Sequence, residues 1–176
     1  MFDRDRFIDD CLAAASAGDA HTGVRPVLER ALSDPAAIIA GLGEPKSGLL
    51  APLYRSSDLT ILNVVWKPGA VIRPHNHETW ALIGVYTGRE DNIFWRRTKD
   101  NPRRIEAAGA RSLLAGDLAP LGQDIIHSVV NPLERLTGAI HIYGGDFFKI
   151  ERSEWDDERL TEQPYDQEKT KALFAD

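Results

Sequence analysis

The sequence predicts a mainly β protein, a sandwich or barrel, with a helical segment at its N-terminus. Between residues 49 and 150, short runs rich in β-branched and aromatic residues alternate with turn signals such as Pro-Gly, Thr-Gly and Asn-Pro. Many short strands at this spacing favour a sandwich or barrel over alternating β/α units. Before residue 45, apolar residues instead recur every three or four positions, which is typical of amphipathic helices.

Three helices are predicted in the N-terminal segment. Apolar residues mark one helical face across residues 7–15 and another across residues 24–32. The sequence Ser33-Asp34-Pro35 then combines an N-cap with a proline in the first helical turn. It therefore predicts the start of a third, short helix.

Nine short strands follow, and after them comes a charged, turn-rich tail with a short helix predicted to end at Phe174. The predicted strands span residues 49–54, 59–66, 79–86, 92–97, 104–107, 112–114, 125–130, 137–143 and 147–150. At 176 residues the chain is long enough for one domain with a full hydrophobic core. We expect N-terminal helices (1–45), a β-barrel (49–150) and a C-terminal tail (151–176).

Composition and charge argue against several classes of function. The net charge of −6, without any Lys/Arg cluster, argues against a nucleic-acid partner. The charged N-terminus lacks an apolar signal core, and no apolar run approaches the ~20 residues of a membrane-spanning helix. Because Cys11 is the single cysteine, no internal disulfide can form, and we expect a cytoplasmic protein. The sequence carries no signal for the oligomeric state.

Four of the five histidines lie between residues 75 and 141, in β-like segments. His75 and His77 are one residue apart, and side chains alternate along a strand, so both imidazoles point to the same side. Paired imidazoles suit a core poorly, because each ring nitrogen needs a polar partner when buried, whereas neutral imidazole binds transition metals well. His127 and His141 lie in two later strands. This clustering indicates a metal site.

Two motifs around these histidines resemble the signature motifs of the cupin superfamily. They are Pro68-Gly69-x5-His75-x-His77 with Gly88, and Pro120-x-Gly122-x4-His127-x3-Asn131. The resemblance implies a double-stranded β-helix, a jelly-roll-like barrel, with a metal in its mouth held by His75, His77 and His127.

One departure from the cupin pattern concerns the metal's charge. Most metal-binding cupins place a glutamate four or five residues after the second histidine, where this chain has Ala81 and Leu82. Strand alternation turns the adjacent Glu78 to the opposite face. The ligands are then three neutral imidazoles, which leave the dipositive charge uncompensated and favour an anionic ligand such as a thiolate or carboxylate.

An all-histidine cupin site resembles the cysteine dioxygenase family, and its bacterial thiol dioxygenases in particular. The family carries a His-x-Tyr pair about fourteen residues after the third ligand, and His141 and Tyr143 stand at that spacing here. Strand alternation places both on one face, so the imidazole can orient the phenol. The serine that usually precedes the pair is Ala139. The cysteine that crosslinks to the tyrosine in the animal enzymes is absent near the second ligand, so we expect no Cys–Tyr crosslink.

The resemblance implies a non-haem iron enzyme that uses Fe(2+) and O2 to convert a small carboxylate-bearing thiol into a sulfinate. Cysteine, 3-mercaptopropionate and mercaptosuccinate all fit. Tyr143 and His141 are the expected catalytic pair. In the family an arginine on an early strand binds the substrate carboxylate, and Arg55 is the closest match; Arg73, two residues before His75, is the alternative.

Other functions are compatible with three histidines. Imidazole alone does not separate iron from zinc or nickel. A zinc site of this kind could activate water for a hydrolase or lyase, although no Asp or Glu stands out as its general base. A different dioxygenase substrate, or a cupin that binds a metal or ligand without catalysis, are further alternatives. Metal analysis and thiol-dependent oxygen uptake would separate them.

Overall fold

The computed structural model describes residues 2–175. Its architecture is two antiparallel sheets with three N-terminal helices packed on the outer face of one. The helices are α1 (Arg4–Ser16), α2 (Ala20–Leu32) and α3 (Pro35–Leu42), and a fourth, α4 (Gln167–Ala172), lies near the C-terminus. Each begins after an aspartate whose side chain accepts hydrogen bonds from the first-turn backbone N–H groups, which compensates donors that would otherwise lack partners.

The sheets contain five and six strands. The strands are β1 (Leu49–Arg55), β2 (Leu59–Trp66), β3 (Val71–His75), β4 (Ala81–Thr87), β5 (Arg89–Arg97), β6 (Ile105–Leu114), β7 (Leu118–Leu121), β8 (Ile126–Val130), β9 (Thr137–Gly144), β10 (Ser153–Trp155) and β11 (Glu162–Pro164). The five-stranded sheet has the order β1-β2-β9-β4-β7, and the six-stranded sheet has the order β11-β10-β3-β8-β5-β6.

Two apolar layers hold this arrangement together. One lies between the sheets and includes Val64 and Ile83 from the five-stranded sheet and Val129 from the six-stranded sheet. The other lies between the helices and the outer face of the five-stranded sheet, where Leu28 meets residues such as Ile140. Successive strand residues therefore serve different layers, and His75, His77, His127 and His141 lie on the inner side, beside residues of the layer between the sheets.

The predicted strands differ from the observed ones in two instructive places. Residues 105–107 and 112–114, predicted in two separate strands, belong to one continuous strand, β6, because an exposed edge strand tolerates the Ala-Gly-Ala run between them. Residues 147–150 form turns instead of a strand. The Asp146 side chain and backbone carbonyl accept hydrogen bonds from the N–H groups of Phe148 and Lys149, which closes a turn there.

Four strands, β3, β7, β10 and β11, are absent from the nine predicted ones, although the segment around His75 was predicted to be extended. Each is short, and three of them contain a proline, which removes a ladder hydrogen bond and hides the strand signal. Strands β10 and β11 bring the C-terminal tail onto the six-stranded sheet beside β3. The tail is therefore part of the barrel mouth.

Among residues 2–175, no helix combines the length and hydrophobicity that crossing a bilayer requires.

Candidate metal centre

The strand pairing of the six-stranded sheet brings two of the predicted ligands together. His75, the last residue of β3, is directly opposite His127 on the antiparallel strand β8. The register of this pairing shifts between Ile72 and His75, and His77 follows just beyond the strand end. All three imidazoles are buried, with exposed fractions of 7%, 2% and 1% in chain order.

The three Nε2 atoms converge. His77 Nε2 lies 3.2 Å from His75 Nε2 and 3.3 Å from His127 Nε2. Two imidazole nitrogens at ~2.1 Å from one ion, separated by an angle of about 100°, would be roughly 3.2 Å apart. The observed spacing therefore fits ligation of one ion by all three predicted residues, and in the described chain no carboxylate oxygen belongs to this cluster.

The partners of the other ring nitrogens support the same conclusion. His75 Nδ1 lies 2.8 Å from the Arg73 carbonyl oxygen, and His127 Nδ1 lies 2.7 Å from Asn92 Oδ1. Because both partners are acceptors, each Nδ1 carries the proton, and the Nε2 of a neutral ring is left with a lone pair. Lone pairs that face each other at this distance repel unless a cation lies between them. The donor set therefore fits a transition-metal ion.

Burial keeps these imidazoles neutral. Loss of hydration lowers the pKa of His75 to about 4, although its hydrogen bond to the Arg73 carbonyl works in the opposite direction. Burial also lowers the pKa of His77 and of His127 well below the usual value, and each is further lowered by its histidine neighbours. At neutral pH the site is ready to accept a metal without first losing protons.

The lowered pKa values predict that the metal-free protein loses stability in acid. The unfolded imidazole binds a proton near pH 6.5, whereas folded His75 does so only near pH 4. Between these values the unfolded state binds more protons, so the free energy of unfolding falls as the pH falls. For His75 alone we expect a loss of about 3 kcal/mol at about pH 4.

Urea unfolding of chelator-treated protein between about pH 7.5 and about pH 4.5 measures this slope. The triple variant H75Q/H77Q/H127Q serves as the control and should show a much smaller dependence on pH over the same range. An equal slope in both proteins would contradict the burial of three neutral imidazoles.

The His-x-Tyr pair lies on the central strand β9 of the opposite sheet. His141 Nδ1 is 2.9 Å from the Tyr143 hydroxyl oxygen, as strand alternation predicts. The Tyr143 ring contacts the His77 ring, with 5.0 Å between centroids, and stacks on Phe147 at 4.0 Å. Burial raises the pKa of Tyr143 above its usual range. The phenol is therefore protonated, positioned by His141 and next to a candidate ligand.

A small, mostly apolar cavity of about 50 Å³ adjoins the three histidines, and Tyr143 also lines it. This is room for only a few water molecules or a small ligand. The tail closes one side of it, and Arg152, Tyr165, Gln167 and Phe174 all contribute to the wall.

Neither arginine predicted to bind substrate lines this cavity. Arg55 makes a two-pronged ion pair with Asp146, with distances of 2.8 and 3.1 Å. Arg73 pairs with Asp157 at 2.6 Å and lies 3.6 Å from Glu154. In both cases the guanidinium is already paired with a carboxylate of the same chain.

Two cationic residues do line the cavity, Arg152 and Lys171, and Arg152 was not predicted from the sequence. Its guanidinium lies 4.1 Å from the ring centroids of both Phe147 and Tyr165. Its Nη1 donates to the Phe147 carbonyl at 2.8 Å, whereas its buried Nε has no hydrogen-bond partner among residues 2–175. No acidic side chain of that range pairs with it; Lys171, the other cation on the wall, is paired with Glu168.

Asn76, the residue between His75 and His77, holds the backbone next to Arg152 in place. The backbone N–H of Asn76 donates to the Ser153 carbonyl at 3.1 Å, and the Asn76 side-chain oxygen accepts from the Ser153 N–H at 2.8 Å. Arg152, the residue before Ser153, is thereby fixed beside the candidate metal ligands. Its charge contributes to the lowered pKa values of His75 and His77, after burial.

No protein-family model matches the chain. Among solved structures, a protein from Bacillus halodurans matches 61% of this chain and 77% of its own, with 16% identity and a TM-score of 0.50. A cupin family protein with a double-stranded β-helix fold from Methanocaldococcus jannaschii matches 61% of this chain and 88% of its own, with 10% identity and a TM-score of 0.49. KdgF from Halomonas sp. matches 55% and 76%, with 22% identity and a TM-score of 0.45.

The described chain is therefore mainly β, with two antiparallel sheets preceded by a helical segment, as the predicted fold class requires, and it shares this fold with the Bacillus halodurans protein. Identities of this size establish the fold alone. The reaction has to be inferred from the residues around the three histidines.

Proposed function

We propose that this cupin-fold protein is a non-haem iron thiol dioxygenase that converts a small carboxylate-bearing thiol into its sulfinate. The observation that carries the proposal is the convergence of three neutral imidazoles beside a cavity lined by the Arg152 guanidinium; within residues 2–175 no carboxylate joins the imidazoles and no acidic side chain pairs with Arg152. The overall reaction is balanced by O2 alone, because a thiol R–SH and O2 give R–SO2H with both oxygen atoms on sulfur.

The charge of the site favours an anionic sulfur ligand. Three neutral histidines leave the full dipositive charge of a bound ion uncompensated, and a metal lowers the pKa of a coordinating thiol so that no separate strong base is required. Ferrous iron, when bound, would supply the positions at which a thiolate and dioxygen meet. Zinc or nickel could occupy the same imidazoles, but zinc has no redox chemistry with which to use O2.

Arg152 would bind the substrate carboxylate. A guanidinium presents a planar fork that suits a carboxylate, and its contacts with the rings of Phe147 and Tyr165 restrict its orientation. A carboxylate held there would fix the other end of a short molecule near the histidines. The cavity of about 50 Å³ favours thiols of the size of cysteine or 3-mercaptopropionate.

Tyr143 and His141 would complete the site from the opposite sheet. The phenol oxygen is within hydrogen-bond distance of His141 and its ring packs against His77, so it lies where it could form a hydrogen bond with the reacting groups. Together with Phe147 and Phe174 it would also keep bulk water away from the sulfur.

The proposal is tested by oxygen uptake with the full chain loaded anaerobically with Fe(II). Addition of cysteine, 3-mercaptopropionate or mercaptosuccinate should start uptake with one O2 consumed per thiol. With isotopically labelled O2, both labelled atoms should appear in a sulfinate product. Zinc-loaded protein is the control and should consume no O2. Uptake that yields only disulfide, or no thiol-dependent uptake by the iron form, would contradict the proposal.

A further inference from the structure

Glu90 is a fully buried carboxylate that bridges the two sheets behind the candidate metal centre. It lies on β5 of the six-stranded sheet with an exposed fraction of 0%. Its Oε2 accepts a hydrogen bond of 2.8 Å from Trp66 Nε1 on β2 of the other sheet. Its Oε1 accepts a hydrogen bond of 3.0 Å from Asn92 Nδ2. Glu90 does not line the cavity, so its role is not to contact substrate.

Strand geometry connects this carboxylate to one metal ligand. Glu90 and Asn92 are two residues apart on β5 and therefore share a face. Their strand pairs with β8, where Phe94 is opposite His127, so Asn92 is a diagonal neighbour of that histidine. The Asn92 side-chain oxygen lies 2.7 Å from His127 Nδ1.

The direction of each hydrogen bond in this series follows from Glu90. An ionised carboxylate only accepts, so the Asn92 group that faces it must be the NH2 group. The amide oxygen then faces His127, which must donate from Nδ1 and keep its lone pair on Nε2, toward the other ligands. Burial opposes ionisation of Glu90, but the facing His141 and the hydrogen bonds from Asn92 and Trp66 outweigh it and hold its pKa below the usual value.

We propose that Glu90 is a positioning residue that fixes His127 in the metal-binding tautomer through Asn92. The inference deepens the proposed function and rests on its metal site, but not on the identity of the metal or of the thiol. It assigns a role to an acidic residue that is not a ligand: the carboxylate acts through hydrogen-bond direction over two side chains.

The Glu90 carboxylate also faces His141, the partner of Tyr143. Its Oε2 lies 3.6 Å from His141 Nε2, within ion-pair distance though longer than a hydrogen bond. That nitrogen is buried and has no hydrogen-bond partner among residues 2–175. A proton on His141 Nε2 is favoured because it faces a negative charge. The Nδ1 of the neutral ring then keeps a lone pair, which can accept a hydrogen bond from the Tyr143 hydroxyl. Glu90 thus orders the hydrogen bonds on both sides of the barrel.

The test is a pair of variants that first breaks and then restores the direction of the hydrogen bonds. In Glu90→Gln, one carboxylate oxygen becomes an NH2 group, and either Asn92 or Trp66 loses its acceptor. If the Asn92 amide turns round to compensate, its NH2 group faces His127 and stabilises the wrong tautomer. The double variant E90Q/N92D restores the order, because the carboxylate introduced at position 92 accepts both from the amide introduced at position 90 and from His127.

Two measurements on the full chain report the outcome. Long-range 1H–15N spectra of the metal-free protein distinguish a proton on Nδ1 of His127 from one on Nε2, and Zn2+ titration reports affinity without any turnover. We expect wild type to show the Nδ1–H form, E90Q to lose it with a roughly 10–100-fold weaker Zn2+ affinity, and E90Q/N92D to recover both. Glu154→Gln, which changes another buried glutamate, is the matched control and should retain the Nδ1–H form.

The outcomes separate this inference from the proposed function. An Nε2–H form in wild type overturns the inference even if no variant folds. An unchanged tautomer and affinity in E90Q, or a loss that E90Q/N92D does not reverse, also overturns it. If wild type shows the Nδ1–H form but binds no metal, the proposed function fails while the hydrogen-bond order stands.

Discussion

Replacing His77 with alanine should abolish stoichiometric metal binding and, with it, thiol-dependent oxygen uptake. The Nε2 of His77 lies within 3.3 Å of the Nε2 atoms of both other candidate ligands. Its loss would leave only two imidazoles to hold the ion. Structural zinc sites with four ligands gain roughly 10–16 kcal/mol from the metal, so one ligand is worth about 3–4 kcal/mol. The metal affinity should therefore fall by about 10²–10³-fold.

His21→Ala is the matched control for this variant. His21 stacks on Trp80 with 5.2 Å between ring centroids and is not part of the candidate ligand cluster. Zn2+ titration and oxygen uptake should be near wild type in His21→Ala. Full metal occupancy and activity in His77→Ala would remove the foundation of the proposed function.

The second large effect is expected from Arg152→Met, which keeps the apolar stem between two rings and removes the charge. Loss of one partner from a buried, hydrogen-bonded charge pair costs about 2–5 kcal/mol, so kcat/KM for a thiol carboxylate should fall roughly 30-fold to several thousand-fold. The kcat/KM for an uncharged thiol of similar length should change little. Arg152→Lys should recover only part of the loss, because an ammonium cannot present a planar fork.

The same assay distinguishes the three candidate arginines. Arg55→Gln and Arg73→Gln should have small effects on kcat/KM, because both guanidinium groups already pair with internal carboxylates. If Arg55→Gln instead causes the selective loss for carboxylate-bearing thiols, then Asp146 releases its partner during turnover and the original sequence prediction is correct. Equal losses for charged and uncharged thiols in Arg152→Met would show a structural role only.

Two pairs of candidate site residues could be predicted from sequence because their signals are local, whereas His127 was assigned through the resemblance of its motif to the cupins. His75 and His77 carry a spacing of two residues that brings side chains to one side, and this survives even though His77 lies beyond the end of β3. The pairing of His141 with Tyr143 follows from the same alternation. These relationships need no knowledge of the partner strands.

Arg152 and Glu90 could not be found in this way because their roles depend on distant pairing. Arg152 lies in a charged tail without a strand signal, and only the pairing of β10 with β3 brings it to the histidines. Glu90 was missed because the predicted start of its strand was wrong. The predicted strand began at Asn92, whereas β5 begins at Arg89, so the shared face of Glu90 and Asn92 was not recognised.

The most direct test of the account is anomalous diffraction from crystals of the full chain grown anaerobically with Fe(II). We expect one iron peak bound by the Nε2 atoms of His75, His77 and His127, with no carboxylate oxygen of the protein among its ligands. An iron peak elsewhere, or no peak with the three rings turned apart, would contradict the three-histidine metal centre on which the proposed chemistry depends.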